Sequence, residues 1–211
     1  MFSQLQEDLR NLGNAYQLTL KMAAMVIFPL VMGLGLIAEP LLTSLLGSQW
    51  QPAAVLLTVL CLGYMLYPIH AINLNLLQVI GRSDLFLKLE VLKKIIGVTI
   101  LLLSIPYGVL AMAIGLSITS YIALLLNTYY TAKLIHISQW QQCKDVAPIW
   151  LAVTLSAALA YVMGMSWQEQ PLLQIVINLG VALLCYSVYL FFGQRPLMLQ
   201  LRTILRPTPL I

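Results

Sequence analysis

The sequence predicts an all-α integral membrane protein with six transmembrane helices, on three observations. First, 61% of the residues are hydrophobic and only 9% are charged, whereas about a quarter of a soluble domain is charged. Second, six apolar stretches recur, centred near Val31, Met65, Ile100, Leu116, Ala157 and Leu183. A helix crosses the bilayer with about 20 apolar residues. Third, the connectors between these stretches alternate in charge. Arg10 and Lys21 precede the first. Arg82, Lys88, Lys93 and Lys94 fall between the second and third, Lys133 and Lys144 between the fourth and fifth, and Arg195, Arg202 and Arg206 after the sixth. The connectors Glu39 to Pro52, Ser104 to Gly108 and Ser166 to Pro171 have no Lys or Arg. Basic residues stay on the cytoplasmic side, so the pattern predicts a multi-pass protein with both termini in the cytoplasm.

Taken in order, residues 1–18 form a cytoplasmic amphipathic lead-in with Leu5, Leu9 and Leu12 on one side. The six-helix domain spans 19–193, with helices near 19–39, 53–80, 86–105, 108–132, 147–166 and 171–193. Phe28-Pro29 is expected to kink the first. Glu39-Pro40 ends its apolar run, and the segment to Gly47 continues as a short interfacial helix. The third helix is the marginal one, because Lys93 and Lys94 interrupt it. Residues 194–211 form a basic cytoplasmic tail. Trp50, Tyr107 and Trp167 mark the outer headgroup level, and Tyr129, Tyr130, Trp140 and Trp150 the inner one. Small residues four apart, Ala111, Gly115 and Thr119, then Ser156, Ala160 and Gly164, predict close helix packing.

Composition also excludes classes. A barrel would alternate polar and apolar residues along each strand, and these runs do not. The net charge of +4 is accounted for by the inside-positive connectors, so no nucleic-acid partner is implied. Cys61 and Cys185 lie within helices and Cys143 in a cytoplasmic connector, which gives no disulfide framework. Glu7 and Asp8 stand where a signal peptide would be basic or apolar. The two histidines, His70 and His136, fall on different segments with no carboxylate nearby in sequence. No metal-ligand spacing and no nucleophile with a base appears, so neither an enzyme nor a cofactor is expected.

The second helix is the most polar at depth. Tyr67, His70 and Asn73 recur at three-residue spacing beside Pro68, with Asn75 following. Polar groups at membrane depth face a cavity or another helix. For any one residue interhelical hydrogen bonding is the commoner role; the cluster together favours a pathway wall, to which Asn127 could contribute. Between Gly81 and Lys94, Gly81 suits a helix end, and Asp84 with Lys88 and Glu90 with Lys94 have ion-pair spacing. That is the plain reading. The sharper one makes Arg82, Lys88 and Lys93 contacts for an anionic head group, since membrane lipids attract juxtamembrane basic residues in general. Glu39 reads as a helix terminus, and Asn127 and Asn178 as packing groups, the cavity role being the second reading for Asn127.

One order of short motifs goes further. Phe2-Ser3-Gln4-Leu5-Gln6-Glu7-Asp8 is followed by Phe28-Pro29-Leu30, Gly33-Leu34, Glu39-Pro40-Leu41 and Leu46-Gly47-Ser48-Gln49-Trp50. Then come Gly81-Arg82-Ser83-Asp84, Leu87-Lys88-Leu89-Glu90, Pro106-Tyr107-Gly108-Val109 and Asn127-Thr128-Tyr129-Tyr130. Together they resemble the C-terminal half of a Wzx-type oligosaccharide flippase of the colanic-acid-exporter kind. That family lies within the multidrug/oligosaccharidyl-lipid/polysaccharide exporter superfamily. The resemblance covers residues 1–135, and the last two helices match by hydropathy. It implies the later part of the C-terminal lobe of a two-lobed flippase, plus its final helices. The implied substrate is a polyprenyl-diphosphate-linked oligosaccharide, moved across the bacterial inner membrane by alternating access. It further implies an N-terminally truncated chain, and leaves open a split gene product with a separately encoded N-terminal lobe as partner, a misplaced start, or a degraded gene. Two other readings remain open: a non-transporting partner of a polysaccharide-assembly complex, and a fragment of a small-molecule drug exporter.

Overall fold

The computed structural model describes residues 2–135 and 137–194, with side chains from Asn11 onward. Among the described residues eight α-helices follow one another: α1 (Phe2–Leu36), α2 (Ala38–Leu46), α3 (Gln51–Tyr64), α4 (Tyr67–Val79), α5 (Ser83–Ser104), α6 (Val109–Ile135), α7 (Gln139–Gly164) and α8 (Pro171–Gly193). Short 3₁₀ turns occupy Ser48–Trp50, Ile105–Tyr107 and Met165–Trp167, and there is no strand among the described residues. His136, the basic residues Arg195, Arg202 and Arg206, and the side chains of Leu5 and Leu9 lie outside the described residues.

The core is built on α1. Tyr16, Leu20, Ala24, Phe28 and Met32 recur every fourth residue and are all buried. Such a row forms one face of a helix. It packs on Met65 and Ile69 from the α3–α4 region and on Ile149 and Val153 of α7. α1 is continuous from the lead-in to Leu36, with Pro29 inside it. Proline lacks the N–H that would bond the Met25 carbonyl; the Tyr186 hydroxyl of α8 donates to that carbonyl instead, at 2.8 Å. The expected interfacial helix is α2. It ends at Gly47, whose φ of 94° suits glycine.

The outward surface is apolar. Leu30, Leu155 and Leu184 are 65%, 67% and 69% exposed on three different helices. Helices apolar on every side belong in a membrane, and the protein is an all-α membrane protein. Five helical segments among the described residues are long and apolar enough to cross: Asn11–Leu36, Ser48–Val79, Val109–Ile135, Gln139–Trp167 and Pro171–Gly193. α5, the expected third crossing, is not one of them, because Asp84, Lys88, Glu90, Lys93 and Lys94 crowd its first half.

α7 starts at Gln139, earlier than the apolar run suggests. The Ser138 hydroxyl accepts from the Gln141 N–H at 3.1 Å, capping the orphan donors of the first turn. Trp150, expected to mark the inner headgroup level, turns toward the protein. It is partly buried against the core, beside Leu20, Leu66 and Val146.

Candidate functional site in the broken helix

The long segment Ser48–Val79 is interrupted at Met65-Leu66. Pro68 in the first turn of α4 removes a donor. The Leu66 N–H turns to the Gly63 carbonyl at 3.3 Å, a tighter bond that leaves the Leu62 carbonyl free. In a membrane a freed carbonyl needs a partner; α6 supplies one to Leu62 and adds hydroxyl donors to two neighbouring carbonyls. Ser117 donates to the Val59 carbonyl at 2.7 Å, Ser120 to Gly63 at 2.8 Å and Tyr121 to Leu62 at 3.1 Å. The approach is close because position 63 is glycine: a Cβ there would lie 2.7 Å from the Ser117 Cα.

The break opens a cavity of about 490 Å³ between α3, α4, α5 and α6. Its polar lining includes Tyr64, Tyr67, His70, Thr119, Ser120, Glu90, Lys93 and Lys94, and Leu74, Leu101 and Leu116 are among its apolar walls. Tyr67 is exposed. His70 is bonded through Nε2 to Ser120 Oγ at 3.0 Å and through Nδ1 to Asn127 Nδ2 at 3.3 Å. Asn127 is itself buried. Asn73 turns elsewhere. Each three-residue step on a helix lags by about 60°, so two steps from Tyr67 leave the shared face. Asn73 accepts from the Tyr16 hydroxyl of α1 at 2.9 Å and donates to the Ile69 carbonyl at 2.8 Å.

The charged segment after α4 is arranged differently from its helical spacing. Gly81, at φ 77°, terminates α4: its N–H bonds the Gln78 carbonyl and the Arg82 N–H bonds that of Leu77, at 2.9 and 2.8 Å. This is the glycine-dependent C-cap in which the left-handed residue closes the last turn. Asp84 pairs with Arg82, at 2.9 and 3.0 Å, instead of with Lys88. A carboxylate beside the planar guanidinium finds two donors with the spacing of its own oxygens. That hydrogen bond holds the Asp84 carboxyl below the usual carboxylate range and pushes the Arg82 guanidinium up. Glu90 pairs with Lys93, one helical position before the expected Lys94. Lys93 and Lys94 reach the cavity, while Arg82 and Lys88 are exposed and outside it.

A second polar cluster ties α1 to α4, α6 and α7. The Tyr16 hydroxyl lies 2.9 Å from Asn73 Oδ1 and 2.8 Å from Gln142 Oε1. Gln142 donates to the carbonyls of Thr128 and Ile137, both at 3.3 Å. Next to it Asp145 accepts from Gln17 and pairs with Lys21, both at 2.8 Å. The sequence alone did not point to this cluster, because Lys21 read as part of the cytoplasmic approach to the first helix and nothing local links it to Asp145. The available signal was the spacing of Tyr16, Gln17 and Lys21 along one side of α1, next to its buried apolar row.

Fold and cavity together define a polytopic helical membrane protein with a mostly apolar, half-open cavity against a broken helix, into which a few polar side chains project. A family model described as polysaccharide biosynthesis protein matches residues 1–55. The match covers α1, α2 and the first turn of α3, and stops short of the cavity residues. No curated protein and no solved structure matches the chain.

Proposed function

We propose that this chain is part of a transporter of lipid-linked oligosaccharide, a flippase acting in polysaccharide biosynthesis at a bacterial inner membrane. The observation that carries the reading is the chamber beside α4, in a chain whose first helices match a polysaccharide biosynthesis family. The chamber combines the hydroxyls of Tyr64 and Tyr67 with the cations of Lys93, which is paired with Glu90, and Lys94. A sugar phosphate needs both kinds of group, and the apolar walls beside them suit the lipid part. No chemical step is asked of the protein; it binds in one state and releases in another.

The test uses cells that carry the intact gene. Deleting it should abolish surface polysaccharide and leave its lipid-linked precursor accumulating on the cytoplasmic side. Restoring the gene with His70→Ala or Lys93→Ala should return at most about a tenth of the polysaccharide, each loss corresponding to a charge-assisted or cavity hydrogen bond of roughly 1.5 kcal/mol or more. Membrane abundance of the variants should stay near that of the parent. Normal surface polysaccharide in the deletion strain would overturn the reading.

A further inference from the structure

Both ring nitrogens of His70 are engaged, and their partners fix which one carries the hydrogen. Ser120 has a single hydroxyl hydrogen, and it is given to the Gly63 carbonyl at 2.8 Å. The Ser120 oxygen facing His70 Nε2 at 3.0 Å is therefore an acceptor, so Nε2 bears the hydrogen. Across the ring, Asn127 Nδ2 is 3.3 Å from Nδ1. An amide nitrogen only donates, so Nδ1 offers its lone pair. Every group of the neutral ring is thus satisfied.

Asn127 is not. Its side chain is 1% exposed, yet its Oδ1 has no hydrogen-bond partner. Buried amide oxygens are nearly always paired, and an exception asks for an explanation. Turning the amide over would not relieve it in the neutral state. Oδ1 would then face the Nδ1 lone pair, and moving the ring hydrogen to Nδ1 would leave Nε2 opposite a hydroxyl already committed to Gly63. With the Ser120 hydroxyl kept on Gly63, the state that uses the idle oxygen is the ring protonated on both nitrogens.

We propose that His70 is a proton-binding site, with Asn127 as the residue that reverses its amide to receive the added Nδ1 proton. In the step, the Nδ1 lone pair takes a proton from a hydronium ion that reaches it through the cavity, leaving water. The Asn127 N–H···Nδ1 bond breaks, so the amide N–H₂ gives up that partner, and a charge-assisted Nδ1–H···Oδ1 bond forms in its place. The Nε2–H···Ser120 and Ser120···Gly63 bonds persist, and the site gains one positive charge. The groups facing the ring are known from each side. α5 presents Glu90, Lys93 and Lys94, with Glu90 and Lys93 paired to each other. The broken helix presents Tyr64 and Tyr67. α6 presents Ser120 and Asn127, with Tyr121 held on the Leu62 carbonyl. α1 meets α4 through Tyr16 at Asn73. The inference goes beyond the transport reading and does not depend on what the cavity carries.

The experiment uses the full chain in lipid nanodiscs with His136→Gln, so that His70 is the one imidazole of the two in the sequence. Nitrogen-15 resonances of the imidazole and of the Asn127 carboxamide are followed by magnetic resonance across pH. Near neutrality the ring should be the Nε2–H tautomer. On acidification both nitrogens should become protonated, and the Asn127 signal should move with the same midpoint. Asn127→Leu removes the acceptor and should lower the midpoint by about one pH unit or more, a tenfold loss of proton affinity. Asn127→Asp should raise it, since a carboxylate favours the imidazolium. Misfolding would not move two variants in opposite directions. An Nδ1–H neutral tautomer, an Asn127 signal that stays still while His70 titrates, or one midpoint shared by both variants would overturn the proposal. So would a ring that stays neutral throughout. The polysaccharide assay does not sense the tautomer, so either reading can fail alone.

Discussion

Tyr16 has one hydroxyl hydrogen and two carbonyl oxygens within reach, on Asn73 and Gln142. Both amides are oriented by other bonds, Asn73 to the Ile69 carbonyl and Gln142 to those of Thr128 and Ile137. One hydroxyl therefore serves two acceptors from two helices. Tyr16→Phe keeps the ring in the core but strands both oxygens, and should destabilise the chain by about 1–3 kcal/mol. Unfolding in denaturant, followed by α-helical signal in detergent micelles, measures it. Beside it, Asp145→Ala leaves Lys21 without its carboxylate. Lys21 keeps about a third of its exposure, so the loss should be nearer 1–2 kcal/mol than the roughly 3–5 of a fully buried pair. Lys21→Met with Asp145→Leu should recover most of it, because two apolar side chains need no desolvation. A double variant as weak as Asp145→Ala would show that the pair is not what holds α1 to α7. Little of this was legible beforehand. Apolar runs and glycine stops are local signals, whereas Gln17 and Asp145 are 128 positions apart.

At the scale of the element, glycines decide how near the helices come. Gly63 and Gly180 are both helical, and host experiments alone would make either one about 0.5–1 kcal/mol less favourable than alanine. Their surroundings separate them. A Cβ at Gly63 meets the Ser117 backbone at 2.7 Å, while at Gly180 it meets nothing within 4 Å. Gly63→Ala should push α3 off α6, break the hydroxyl bonds to Val59 and Gly63, and destabilise by about 1–3 kcal/mol. Gly180→Ala should be neutral or slightly stabilising. Thermal unfolding in detergent compares them directly, and equal melting points would show that the close approach does not limit packing. The small-residue spacing on α6 pointed to tight packing in advance, and Gly115 does pack against Ile100 and Ser104. The helical faces of α4 were less legible. Three-residue spacing put Asn73 with Tyr67 and His70, yet the 3.6-residue turn carries it round to Tyr16.

For the whole molecule, the open question is how α5 runs, since its charges keep it out of the five clearly apolar crossings. Its packing answers differently from its composition. Gly115 of α6 packs on Ser104 and Ile100, and Thr119 on Gly97. As the α6 number rises, the α5 number falls, so the two helices are antiparallel neighbours over this stretch. At 1.5 Å per residue, a helix of 22 residues is about 33 Å long, enough to cross the roughly 30 Å hydrocarbon core. The charges gather in its first half, where Lys88 and Lys94 are exposed and Lys93 is paired with Glu90. Long basic side chains placed there can reach toward the interface. We therefore expect α5 to cross, with Ser83 on the cytoplasmic side and Tyr107 on the opposite one. Single cysteines introduced into a chain lacking its own three should divide cleanly under a membrane-impermeant thiol reagent. Gln49→Cys, Tyr107→Cys and Gln168→Cys should label in intact cells, and Ser83→Cys and Gln141→Cys only after the membrane is opened. Labelling of Tyr107→Cys on the same side as Ser83→Cys would mean that α5 enters and leaves by one face. The chain would then cross five times, and its two ends would lie on opposite sides of the membrane.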